Sequence, residues 1–245
     1  MGRQLKAEWI KAKSLRSTWI LLGLALLGIV AEAVTGVVSF RHETPRIQTL
    51  NAISGSSLDL VLLTILGVML AASEYGSKAI ISTYTATADR ARVIAAKSIV
   101  AALLAAAVGA LSVPLARVVA AILFGFGVDG HWDAGLGQAI HYGYGTALAY
   151  AGFAVIGVVI GTVARSVGIG VGAAFVVIFI LDSMLANVSF YAEYALTATS
   201  TVLLDPDNST GRLPGFGGAV ALLLIYTGVL VAVAIAVERH RDVGD

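Results

Sequence analysis

Six apolar runs, at residues 19–38, 57–73, 98–128, 138–163, 167–188 and 215–237, take up more than half of the 245 residues. A hydrocarbon core about 30 Å thick is crossed by about 20 helical residues, and each run approaches or exceeds that length. The composition agrees, at 58% hydrophobic and 13% charged. The expected fold is therefore all-α, a polytopic membrane protein with six transmembrane helices. Residues 1–245 are read as a single transmembrane domain, because the longest polar connection, 189–214, is too short for a soluble catalytic or nucleotide-binding domain. With no cysteine there is no disulfide and no thiolate ligand, and a net charge of +1 gives no reason to expect a nucleic-acid partner. The first run is longer than a signal-peptide core and lacks a small-residue cleavage pattern, so it is read as a span that stays with the chain.

Charge sets the orientation. Six crossings place twelve basic residues on one side: Arg3, Lys6, Lys11, Lys13, Arg16, Lys78, Arg90, Arg92, Lys97, Arg165, Arg239 and Arg241. Opposite them stand three, Arg41, Arg46 and Arg212. Positive residues favour the cytoplasm, so both termini are expected there. Within the connecting segment 1–16, residues 3–16 hold no helix breaker, and Leu5, Trp9 and Ala12 share one side of a helical wheel with Lys6 and Lys13 flanking it. This predicts an amphipathic connecting helix in the headgroup region, anchored by Trp9. The run 98–128 would be about 46 Å long as a straight helix, and Pro114 offers a place for it to bend. Gly157 with Gly161, and Gly168 with Gly172, have the spacing that lets helices approach closely.

Enzyme signatures are missing: there is no H-E-x-x-H, G-x-S-x-G or P-loop, and no G-x-G-x-x-G set between a strand and a helix. His42, His131, His141 and His240 are scattered without ligand spacing, so no metal site is expected. Intramembrane charge is the better guide to function, since ionisable groups in a bilayer are costly and face protein or water. Glu32, Arg117 and Asp182 all fall toward the outer half of the membrane. They could line a substrate path, or pair with one another and hold helices together.

The segment 74–97 is the most structured polar stretch, with an apolar, threonine-rich centre at 80–86 between Glu74-Tyr75 and Arg90…Lys97. It resembles the cytoplasmic segment of ABC type-2 exporter permeases. That family has an acidic-aromatic pair ending the second span, a short apolar helix, and an arginine and a lysine leading into the third. The opening Glu8-Trp9-Ile10-Lys11 with Arg16-Ser17-Thr18-Trp19 is similar to the family's connecting helix. Lys78-Ala79 stand where a glycine-threonine pair is usual, and Ala88 where a proline is common.

The resemblance implies that Glu74, Tyr75, Lys78, Ile80, Ile81, Thr83, Arg90, Arg92 and Lys97 couple the chain to a separate ABC ATPase, with Glu74 as a hinge acid pairing with Arg90, Arg92 or a connecting-helix lysine. It implies two permease copies with two ATPases, ATP and magnesium bound on the partner, and none on this chain. It also implies short helices in the loop 189–214 and outward movement of a drug, antibiotic, peptide or lipid across a bacterial cell membrane. The competing expectation is a stand-alone ion-coupled transporter or channel using Glu32, Arg117 and Asp182.

Overall fold

The computed structural model describes residues 1–76, 89–188, 191–192, 194–208 and 215–240, and among these there is no strand. Helix α1 (Gly2–Ser14) is separated from α2 (Arg16–Ser39) by one extended residue, Leu15. Helix α3 (Pro45–Ile53) starts where Thr44 caps the Ile47 amide and Pro45 presets the first turn. After three non-helical residues, α4 (Ser57–Gly76) continues. Asp89 caps α5 (Arg90–Gly125), and α6 (Leu136–Ala164) ends at Arg165 in the left-handed region, φ 51°. Helix α7 (Val167–Ala174) widens into a π-helical stretch, Phe175–Leu181, then returns to α geometry over Asp182–Leu185. Helix α8 (Leu196–Leu204) and a 3₁₀ turn, Pro206–Asn208, precede α9 (Gly215–His240).

Among the described residues, five helical segments are long and apolar enough to cross a membrane: α2, α3 with α4 (Pro45–Gly76), α5, α6 and α9. The expected fifth of six runs, 167–188, falls short by this measure because its helical bonding changes register at Phe175. Another difference concerns α5. Its helix runs for 36 residues straight through Pro114 without ending there, and it begins at Arg90, well before the apolar run does.

Helix α6 is the mast of the bundle, with 61% of its apolar stretch buried, whereas α9 has 11% and leaves most of its surface uncovered by the rest of the chain. In a bilayer, packing of helix on helix rests on close van der Waals contact rather than on water exclusion. Glycines supply it along the α4–α6 seam. A Cβ at Gly67 would sit 2.0 Å from the Ala154 carbonyl oxygen, and one at Gly157 would sit 2.1 Å from that of Thr64. Gly161 is similarly close to Val68, so the Gly157–Gly161 pair is spent inside the chain, while Gly168 and Gly172 face open space.

At the opposite end of the bundle from α1, α3 lies against the last turns of α2, where a Cβ at Gly36 would strike the Ala52 backbone. Buried Gln48 donates to the Val37 carbonyl (2.8 Å) and the Asp129 carbonyl (3.0 Å), tying the α5–α6 connection down on α3. His131 in that connection is exposed.

Candidate functional site

Two charge networks form at the end of the bundle that carries both termini. The first is built on α1, whose inward face is not wholly apolar: it buries Glu8 together with Ala12, and Leu5 and Trp9 are partly buried against the core. Glu8 Oε2 lies 2.8 Å from Lys97 Nζ on α5, and Lys97 also pairs with Glu74 at the end of α4. Lys11 closes the ring, 2.9 Å from Glu8 and 3.1 Å from Glu74. Two carboxylates and two ammoniums thus neutralise each other. Glu8 and Lys97 are 4% exposed and Glu74 is 9%, so these ions have left water and each depends on its partners. Partial burial works against the charge on Lys11, yet the hydrogen bonds and charges of Glu8 and Glu74 outweigh it and raise its pKa above the usual lysine value.

The second network centres on Glu238 of α9, which is fully buried. Tyr75 donates to its Oε1 at 3.1 Å, Arg165 donates from Nε at 3.2 Å, and Arg90 donates to its backbone carbonyl. The Arg165 guanidinium also lies over the Tyr75 ring, 5.6 Å from its centroid. Arg165 is the one non-glycine among the described residues with positive φ, and the carboxylate that fixes its side chain gives that backbone geometry a reason to persist.

Glu74 and Tyr75 are neighbours in sequence, yet they serve different networks: one joins α1 and α5, the other α9 and the α6–α7 turn. The residues immediately before and after 77–88 are therefore anchored to four other elements. Lys78, Ile80, Ile81 and Thr83 lie outside the described residues. Of the expected partners for Glu74, the connecting-helix lysine is realised in Lys11. Arg90 serves Glu238 instead, and exposed Arg92 pairs with Asp89 at 2.8 Å. On α1, Lys6 is exposed and Lys13 sits over the Trp9 ring, 5.3 Å from its centroid.

The three intramembrane charges are not brought together. Asp182 accepts the Leu196 amide (2.9 Å), the Thr197 amide and hydroxyl (2.8 and 2.7 Å) and the Tyr191 hydroxyl (2.8 Å), so it caps α8 from a distance. Arg117 is exposed and stacks over Trp132, 5.8 Å from the ring centroid. Glu32 is half-buried and faces Ser56 and Asp59. Sequence reasoning passed over Asp59 and Glu238, and used Glu8 only as part of the opening's resemblance, without an ion-pair role. Each is a single acid placed among basic or apolar neighbours, which is the signal that could have marked them.

No curated protein and no solved structure shows significant similarity to the chain. The family model described as ABC-2 family transporter protein matches residues 4–181, from the connecting helix through the π-helical stretch of α7. That stretch holds Glu8, Lys11, Glu74, Tyr75, Arg90, Lys97 and Arg165, so both networks are seated mostly inside it. With most of its length matched and its helices apolar enough to span a bilayer, the chain belongs to the ABC-2 family of membrane transport proteins.

Proposed function

We propose that the chain is the permease subunit of an ATP-driven ABC exporter, acting as one of two copies alongside two copies of a separate ATPase. The observation that carries this reading is the pair of networks bracketing residues 77–88. Rigid links from Glu74 to α1 and α5, and from Tyr75 and Arg90 to α9, mean that a force applied to the intervening segment reaches most of the bundle. A permease of this kind needs such a lever, since ATP is hydrolysed on another chain. The family match supports the same assignment.

In this reading α7 and its π-helical continuation form a sixth crossing, shortened by the change in helical register. The basic bias then puts both termini and both networks in the cytoplasm, and α1 lies at the inner interface with its lysines toward the headgroups. The substrate is hydrophobic or amphipathic, moves outward by alternating access, and passes between two copies of the chain in a bacterial cell membrane. The competing relay of Glu32, Arg117 and Asp182 has no geometry in its favour, because the three side chains serve separate partners.

The absence of native cysteine makes a direct test simple. Thr83→Cys, labelled with a photoreactive maleimide in the cell's own membranes, is expected to cross-link to a chain carrying G-x-x-x-x-G-K-[ST]. Cross-links to lipid alone, from a variant that is stable and correctly inserted, would remove 77–88 as the docking segment.

A further inference from the structure

The second crossing is not one helix. Between α3 and α4, residues 54–56 leave helical geometry at membrane depth, where exposed backbone is tolerated only if protein or a lined cavity satisfies it. Protein does so here. The Gly55 amide donates to the Leu204 carbonyl (3.2 Å), and the Ser56 amide to the Tyr150 hydroxyl (3.3 Å). The depth follows from α2. A Cβ at Gly28 would lie 2.2 Å from Asp59 Oδ1, and Gly28 is about 18 Å along α2 from Arg16, near the middle of that helix.

Four polar side chains converge on this break. Asp59, fully buried in the first turn of α4, accepts from the Tyr150 hydroxyl at 3.0 Å through Oδ2. Its Oδ1 has no hydrogen-bond partner. Thr146, one turn before Tyr150 on α6, is also fully buried, and its hydroxyl is likewise unpartnered. That hydroxyl abuts the break, because a Cβ on Gly55 would lie 3.2 Å from it. Glu32 reaches the Ser56 side chain and feels the charge of Asp59.

Among the described residues no basic side chain offsets the two acids. Arg117 of α5 is turned to Trp132, Tyr142 of α6 donates to Asp205, and Tyr150 is the titratable group of α6 that reaches the pair. Two neighbouring carboxylates in a low-dielectric setting cannot both ionise without a cation between them. The amino end of α4 favours one negative charge at Asp59, which leaves one positive charge to be supplied. Among the described residues there is no cluster of three or more acids or histidines of the kind a divalent ion requires.

We propose that the break between α3 and α4 is a binding site for one small monovalent cation, held between the carboxyl groups of Glu32 and Asp59 and resident as a proton. Tyr150 and Ser56 orient the two acids, and the unpartnered Asp59 Oδ1 is the atom the cation serves. Gly28 is needed because any side chain there would occupy the same space. The site adds an ion-dependent step to the permease and is independent of the ATPase reading, since its test uses no nucleotide.

The test is an infrared pH titration of the chain in phosphatidylcholine vesicles, whose lipid has no carboxyl group. A protonated-carboxyl band that persists at neutral pH is expected in the wild type, with its midpoint falling by one pH unit or more in both Asp59→Asn and Glu32→Gln. Glu32 is half-buried, so the Gln variant keeps the test alive if Asn at 59 fails to fold. Replacing potassium by sodium in the buffer separates the two sources of the cation. A lower wild-type midpoint in sodium would show sodium competing for the same pair, and an unchanged one would show a site for the proton alone. Absence of such a band, or a band and midpoint unaltered by both substitutions, would overturn the proposal.

Discussion

Lys97→Met is expected to destabilise the protein by about 3–5 kcal/mol, the range for stripping one partner from a buried ion pair. Methionine keeps the aliphatic stem but leaves Glu8 and Glu74 facing each other with Lys11 as their shared cation, and the Lys11 side chain is itself 39% exposed. Denaturant unfolding in mild detergent would measure the loss. A double-mutant cycle adds the sharper readout: Glu8→Gln in the Lys97→Met background should cost less than in the wild type, by about 1 kcal/mol or more, because the carboxylate it neutralises has already lost its buried partner Lys97 and keeps only half-exposed Lys11. A total loss below about 1 kcal/mol would mean that water reaches the network and that it behaves as a surface pair.

Gly67→Ala should cost at least about 3 kcal/mol, at the upper end of what overpacking does. The added methyl would sit 2.0 Å from a backbone carbonyl of α6, and backbone cannot swing away as a side-chain tip can. Gly157→Ala should match it from the opposite helix, 2.1 Å from the Thr64 carbonyl. The control is Gly23→Ala in α2, where the new Cβ meets nothing within 4 Å and the gain in helix propensity of up to about 1 kcal/mol is free to appear. Thermal unfolding of the three variants side by side checks the account. Equal behaviour at residues 23 and 67 would show that the α4–α6 seam is looser than its contacts imply.

Apolar run length was enough to locate most of the helices, because a helix that must satisfy its own backbone in lipid has little choice of form. What run length could not reveal was where a helix changes register. Residues 54–56 and Phe175–Leu181 both lie in or beside stretches that read as apolar, and the freed amides at 55 and 56 are satisfied by Leu204 and Tyr150, which are distant in the chain.

The candidate site divides the same way. Glu74, Tyr75, Arg90 and Lys97 stand out because they carry the resemblance to the family's cytoplasmic segment. Glu8 and Glu238 do not, since each looks like one more solvated acid in a charged terminal segment. Their role comes from burial against Lys97, 89 residues away from Glu8, and against Tyr75, 163 residues from Glu238. Asp182 is the opposite case: a lone acid deep in an apolar run is open to a substrate-path or a structural reading, and here its oxygens accept from the amides and hydroxyls around the start of α8.

The most direct test of the permease assignment is affinity isolation of the tagged chain from its own membranes in mild detergent, with native mass and ATP hydrolysis read on the eluate. The account predicts a co-isolated ATPase at one copy per permease, with magnesium-dependent hydrolysis that charge reversal at Glu74 abolishes or uncouples. A chain that elutes without a nucleotide-hydrolysing partner and is inert toward ATP would contradict it.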